Sequence, residues 1–153
     1  LNDGVIPTDV QTWTALAGVD PDAAPVSLQY ILDQLVTSSA GFTGFKFALA
    51  GSGVQNEVTA GAAMALQLQG GALRDAAAAF YSSLEQQQQA APGGDGLGLV
   101  ATPDVEADTG PGLGWKYFNW PHAASSAWTG LAFLAREDAS ANPYAPIKPN
   151  AAS

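Results

Sequence analysis

Hydrophobic residues recur at helical spacing in the first forty residues of the chain. Thr8, followed by Gln11 three residues later, has the capping-box pattern of a helix start. Val10, Trp13 and Ala17 then share one face of the predicted helix. A second helix is predicted to begin near Pro25, because its apolar residues repeat at three and four (Leu28, Ile31, Leu32, Leu35 and Val36).

Three further segments have a helical pattern. The third helix should cover Asn56 to Gln69, and its middle residues 60–63 are all small, which favours an interior helix. The fourth restarts after Gly70-Gly71 and is strongly amphipathic through Leu73, Ala76, Ala77, Phe80 and Leu84. Pro121 opens the last helix, in which Ala124, Ala127, Trp128, Leu131, Leu134 and Ala135 share a face.

Two segments lack this period. Residues 41–53 alternate loosely through phenylalanines and are bounded by glycines, which predicts a short hairpin or an extended loop rather than a core strand. Residues 92–120 are rich in glycine, and a loop of that length inside a compact domain is usually functional or disordered.

These patterns predict an all-α fold of antiparallel helical hairpins. Residues 1–138 form the helical-hairpin domain, with its long loop at 91–120, and residues 139–153 form a Pro-rich extended tail. Five helices leave one helix without a hairpin partner. The apolar flanks of such an assembly should therefore be covered by another polypeptide surface.

The amino-acid composition of the chain argues against several classes of function. The net charge is −9, and the five basic residues are scattered, so nucleic acid is not an expected partner. No apolar run reaches the roughly 20 residues that cross a bilayer, so no membrane span is predicted. The absence of cysteine excludes disulfides, thiolate catalysis and zinc–thiolate sites. The chain begins at Leu1, as a processed product or part of a longer one would, and this favours an extracellular or periplasmic location.

Short motifs in a fixed order resemble a known family. They are Asp9-Val10-Gln11-Thr12-Trp13, Glu57 with Thr59-Ala60, Ala127-Trp128 and Asn142-Pro143-Tyr144. In this order they resemble the last hairpins of six-hairpin glycosidase-like proteins, which form an α/α toroid. The resemblance implies that the helices form an arc of such a toroid, covering about half of a complete ring. The family usually has Trp-Phe-Glu-Gly-Thr where this chain has Gln55-Asn56-Glu57-Val58-Thr59.

The same resemblance implies a pair of catalytic carboxylates. Glycoside hydrolysis needs one carboxyl group that donates a proton and one that is ionised. Glu57 corresponds to a position that faces the family's central cleft, where burial could raise its pKa, and Asp9 is the natural second carboxylate. The alternative for both is an ordinary acidic residue placed by the helix dipole in a first turn.

Aromatic and acidic residues of the long loop are further candidates. Trp115, Tyr117 and Trp120, with Phe118, offer flat faces for a sugar or a protein partner, or they cover the end of the helical layer. His122 is a lone candidate acid or base, or a helix cap. Carboxylates at every second position (Asp104, Glu106 and Asp108) could meet a cation or a sugar hydroxyl, or form a solvated acidic loop.

Two functions follow as hypotheses. The first is a carbohydrate-active or carbohydrate-binding segment that resembles glycoside hydrolases, with Glu57 and Asp9 catalytic and with Trp115, Tyr117, Trp120 and His122 binding the glycan. The second is a non-catalytic structural protein that assembles with copies of itself, or with the missing half of the toroid, into multimers or extracellular filaments. Neither hypothesis calls for a cofactor or a metal.

Overall fold

A computed structural model describes residues 5–144 of the chain. Five helices account for most of its regular structure: α1 (Thr8–Leu16), α2 (Ala24–Gln34), α3 (Asn56–Gln69), α4 (Gly71–Ala90) and α5 (Ala123–Glu137). Two antiparallel hairpins are added to them, β1 (Val36–Ser39) with β2 (Phe42–Phe45), and β3 (Glu106–Asp108) with β4 (Lys116–Phe118). A short 3-10 helix, Ala139–Ala141, follows α5.

The all-α prediction is therefore wrong. Residues 5–144 are 51% helical and 13% strand, with two small antiparallel sheets, which makes this a mixed α/β fold. The first sheet forms because Ala40 and Gly41 both take positive φ angles, 50° and 86°, as the two-residue turn of a tight hairpin requires. The flanking residues pair in register from Val36 with Phe45 to Ser39 with Phe42.

The predicted arc of a toroid is also wrong. Instead of a row of hairpins, α3 is a central helix that packs against α1, α4 and α5. Its residues from 58 to 66 are all buried, so every face of this stretch is covered. Side chains as small as Ala60, Gly61, Ala62 and Ala63 allow the neighbouring helices to approach from several sides.

The second strand belongs to the core, contrary to expectation. Phe45 is 0% exposed, and its ring lies 4.5 Å from that of Phe80 on α4. The backbone N–H of Phe45 donates to the Thr59 hydroxyl, and its carbonyl accepts from Gln55 N–H. These bonds attach β2 to the start of α3.

The first helix buries a different face from the one predicted. Thr8, Thr12 and Leu16 are buried, whereas Val10 and Trp13 are 48% and 38% exposed. The predicted capping box is absent: Pro7 is the N-cap, and the Thr8 hydroxyl donates to the carbonyl of Lys46.

The predicted tail begins against the domain. Asn142 donates to the carbonyl of Leu16, and the ring of Tyr144 stacks on that of Trp128 at 6.0 Å. The rest of the predicted tail, 145–153, lies outside the described residues. Among the described residues, no helix has both the length and the apolar character needed to cross a membrane.

Candidate functional site

The starts of three helices are held at one end of the molecule by two connecting segments. Thr8 N–H, in α1, donates to the Phe47 carbonyl at 2.8 Å. At the start of α3, Asn56 N–H donates to the Ala101 carbonyl at 2.9 Å. His122 N–H, at the start of α5, donates to the Leu99 carbonyl at 2.8 Å. This arrangement gathers three positive helix ends, which favour acidic groups.

Asp9 and Glu57 lie in the first turns of two of these helices, α1 and α3. The two helices pack directly against each other. Both carboxylates also act on one phenol, because the negative charges of Glu57 and Asp9 help to raise the pKa of Tyr117. The two predicted catalytic residues therefore lie in the first turns of neighbouring helices.

Burial raises the pKa of the Asp9 carboxyl above its ordinary value. Hydrogen bonds from the backbone amides of Val10 and Asp9 oppose this rise without cancelling it. Asp9 is therefore a carboxyl group on which burial acts.

Tyr117 comes from β4 and packs over this end of the helices. Its ring lies 6.1 Å from that of Phe47 and 6.0 Å from that of His122, the latter edge to face. Burial is the largest cause of its raised pKa, and a hydrogen bond from the Trp115 side chain opposes it. The phenol consequently stays protonated at neutral pH and can donate a hydrogen bond.

His122 caps α5. Its Nδ1 accepts from the backbone N–H of Ser125 at 3.3 Å and lies 2.8 Å from the Ser125 hydroxyl. The ring borders a groove of about 280 Å³ (lined by Ala101, Lys116, Tyr117, Phe118, Trp120, Pro121 and His122), which we call the aromatic groove.

Exposed aromatic rings form one side of the aromatic groove. Trp120 is 67% exposed and stacks on Phe118 at a centroid distance of 5.1 Å. Trp115 lies on the other side of the β3–β4 hairpin, where its ring meets Phe47 edge to face at 5.9 Å. It lines a second, wider groove of about 600 Å³ together with the glycine-rich turn that joins β3 to β4.

The acidic residues of the long loop do not form one cluster. Glu106 forms an ion pair with Lys116 across the hairpin, and Asp108 accepts from the backbone N–H of Gly110 at 2.7 Å. Asp104 lies against Gly53, and its Oδ2 is buried without a hydrogen-bond partner. Within residues 5–144 no group of three or more His, Asp or Glu side chains could hold a metal ion.

The residues just before Glu57 have a structural role that the sequence did not reveal. The Gln55 side chain accepts from Val58 N–H at 2.7 Å and so caps α3, while Asn56 Nδ2 donates to the Val100 carbonyl at 3.0 Å. Both are buried. These bonds fix the direction of the first turn that carries Glu57.

Phe47 is a site residue that the sequence reasoning missed. It contacts both Trp115 and Tyr117, and its carbonyl holds the start of α1. The available signal was the spacing of Phe45 and Phe47, which place aromatic rings on a short extended segment between two glycines. Comparisons of the chain with protein-family models, curated proteins and solved structures gave no match.

Proposed function

We propose that this chain binds a glycan at the helix ends and hydrolyses a glycosidic bond there. The observation that carries the proposal is that two carboxylates, Asp9 and Glu57, lie in the first turns of two helices that pack against each other. Glycosidases use such a pair, one group protonated and the other ionised, on either side of the bond that breaks.

The environment of the pair suggests which carboxylate has which role. Burial raises the pKa of the Asp9 carboxyl, which favours Asp9 for the role of general acid. Glu57 then takes the second role, in which it activates water or attacks the sugar carbon. Tyr117, protonated beside both groups, can donate a hydrogen bond to a sugar hydroxyl.

The aromatic side chains give the proposal a binding surface. The apolar face of a sugar ring packs on flat aromatic faces, and Trp115 and Trp120 are 47% and 67% exposed. Each lines a groove beside the β3–β4 hairpin, and Tyr117 lies between them on β4. Trp115 and Trp120 therefore each offer a stacking face to a sugar ring.

Substitution of the carboxylates tests the catalytic part. Glu57→Gln and Asp9→Asn should each abolish the release of reducing ends from a panel of soluble glucans. The free energy of unfolding of Glu57→Gln should stay within about 1 kcal/mol of the wild-type value, because Glu57 is not part of the core. Glu85→Gln removes an exposed acid of α4 and is the matched control. Unchanged release in either site variant would remove that residue from the mechanism.

The binding surface is tested separately. Trp115→Ala and Trp120→Ala should each weaken glycan binding by about 1 to 3 kcal/mol in affinity electrophoresis. Trp13→Ala is the control, since Trp13 is also partly exposed but belongs to α1 outside the grooves. If both groove variants keep the wild-type affinity for glycan, the two tryptophans pack against the protein and do not bind glycan.

Self-assembly is the second candidate function. Large apolar side chains remain exposed on several elements, Val10 and Trp13 on α1, Val26 on α2 and Leu134 on α5. Such residues can form contacts between copies of the chain. Light scattering and negative-stain microscopy would show regular multimers or filaments if assembly is the function, and a stable monomer with no partner would argue against it.

A further inference from the structure

The wider of the two grooves beside the β3–β4 hairpin, which we call the wide groove, is lined by polar groups as well as by Trp115. Its walls include the glycine-rich turn that joins the two strands, together with Ser52 and Asp108. Ser52 and Asp108 are both exposed, and Trp115 is 47% exposed. A hydroxyl, a carboxylate and an indole ring therefore belong to the same groove.

The Asp108 carboxylate is held in a fixed direction. Its Oδ1 accepts from the backbone N–H of Gly110 at 2.7 Å, two residues further along the turn. A carboxylate has two oxygens with about four positions for hydrogen-bond donors, so Asp108 keeps acceptor capacity after this bond. Hydrogen bonds from hydroxyl groups to a carboxylate are short and roughly twice as strong as bonds between neutral groups.

Ser52 is attached to Asp108 by two hydrogen bonds. Its backbone N–H donates to the Asp108 carbonyl at 2.9 Å, and its hydroxyl oxygen accepts from Asp108 N–H at 3.1 Å. Because the hydroxyl accepts in the second bond, its own proton can be donated to a ligand. Gly51 permits this close approach, since a Cβ there would lie 2.8 Å from the Asp108 carbonyl oxygen.

Trp115 is held at the other end of the turn. The buried Thr109 hydroxyl donates to the Trp115 carbonyl at 2.6 Å, and the ring of Phe47 meets that of Trp115 edge to face at 5.9 Å. The groups that line the wide groove are therefore in place before a ligand binds. Such preorganisation lowers the entropy lost on binding.

We propose that the wide groove binds one sugar ring, with the apolar face of the ring on Trp115 and with two adjacent hydroxyls on Asp108 and Ser52. This inference rests on the proposed function and assigns one of its subsites. The volume of about 600 Å³ lies within the roughly 300–1,000 Å³ range of small-molecule sites, which combine apolar walls with a few polar groups. A purely apolar ligand would take water from Asp108 without replacing its hydrogen bonds, whereas a sugar offers both surfaces.

A titration followed by NMR tests where the sugar binds. Neutral oligosaccharides of glucose, mannose, galactose, xylose or N-acetylglucosamine are added to the full chain, and loss of a signal in Trp115→Phe assigns the indole N–H of Trp115. At least one oligosaccharide should shift that signal to saturation. The same compound with methylated hydroxyls should bind at least about tenfold more weakly, because it has no protons to donate to Asp108. Absence of a shift with every oligosaccharide, or equal affinity for the methylated form, would overturn the inference.

Substitution of the two polar residues tests their part in binding. Asp108→Asn keeps an acceptor for Gly110 N–H but removes the negative charge, so the affinity should fall by about five- to tenfold as a charge-assisted bond becomes a neutral one. Ser52→Ala should lower the affinity by about threefold or more through the loss of one donor. Wild-type affinity in both variants would overturn the inference.

Asp95→Asn is the matched control. Asp95 is also exposed and also accepts from a backbone N–H two residues further on, that of Leu97 at 2.9 Å, but it does not line the wide groove. Its variant should bind the oligosaccharide as the wild type does. An equal loss of affinity in Asp95→Asn and Asp108→Asn would overturn the role of Asp108, because the effect would then not depend on the groove.

The subsite and the catalytic proposal can fail separately. If Asp108→Asn weakens binding at Trp115 while the wild type cleaves no glycan, the subsite stands and the catalytic roles of Asp9 and Glu57 are overturned. If the wild type cleaves a glycan and Asp108→Asn does so with unchanged KM and kcat, the catalytic proposal stands and the subsite is overturned.

Discussion

Replacement of Phe45 by alanine should strongly destabilise the protein. Phe45 is fully buried at the end of β2 and contacts Phe80, so its truncation removes a complete aromatic side chain from the core. Substitutions of this kind cost about 3–5 kcal/mol. In a protein of this size each kcal/mol lowers the melting temperature by roughly 2–4 °C, so we expect a fall of about 6–20 °C.

Chemical denaturation and thermal unfolding, followed by circular dichroism, measure this loss. Phe118→Ala is the matched control, because Phe118 is also in a hairpin strand but is 37% exposed, and its loss should cost no more than about 1 kcal/mol. The bonds of residue 45 with Gln55 and Thr59 come from its backbone and remain in the variant, so the measured loss reports the buried ring. A loss below about 1 kcal/mol for Phe45→Ala would refute the placement of β2 in the core.

Three other variants test the site and its supports. Burial raises the pKa of Asp9, so the stability contribution of this carboxyl is fully present below the ordinary carboxyl pKa and is lost as the pH rises through the raised value. The stability of Asp9→Asn should therefore increase relative to that of the wild type as the pH rises. Parallel plots of unfolding free energy against pH for the two proteins would contradict this. The pKa of Tyr117, followed by NMR of labelled tyrosine, should lie above the ordinary phenol value and should fall in Glu57→Gln. An unchanged Tyr117 pKa in this variant would show that the charge of Glu57 does not act on the phenol. Gly93→Ala should destabilise the protein by more than about 1 kcal/mol in thermal unfolding, because Gly93 has a φ of 77° and a Cβ there would lie 1.9 Å from the Asn119 carbonyl oxygen; a neutral result would contradict this close approach.

The helices were the part of the fold that could be predicted from the sequence. Asn56–Gln69 agrees with its predicted bounds, because an N-terminal polar pair, a run of small residues and a glycine define it locally. The two β-hairpins could not be predicted from local sequence patterns. Val36–Ser39 lacks a strong alternating pattern, and its partner strand is fixed by the Ala40-Gly41 turn and by contacts with α3 and α4. Those contacts are between residues distant in sequence, so no local pattern predicts them.

Some residues of the candidate site could be predicted from the sequence and others could not. Glu57 and Asp9 were predictable as first-turn acids, and the structure adds that both act on Tyr117. Phe47 was not predictable as a support, since its role depends on the β3–β4 hairpin, whereas the Gln55 cap is a local bond with Val58 N–H three residues on. A sequence can therefore indicate which residues carry the chemistry, while the residues that aim them depend on the tertiary arrangement.

The orientation of α1 shows why hydrophobic spacing alone did not identify the inner face. Its Thr12 can be buried because the hydroxyl donates to the Asp9 carbonyl within the helix, so no polar group is left unpaired. A Cβ added at Gly61 would lie 3.6 Å from the Thr12 hydroxyl oxygen, so the missing side chain on α3 leaves the space in which Thr12 packs. Trp13 is too large for that space, and it stacks instead on Trp128 at 6.2 Å. Close packing therefore places the face of α1 with small side chains in the interior. The apolar face of α1 remains exposed, and the self-assembly hypothesis depends on that surface.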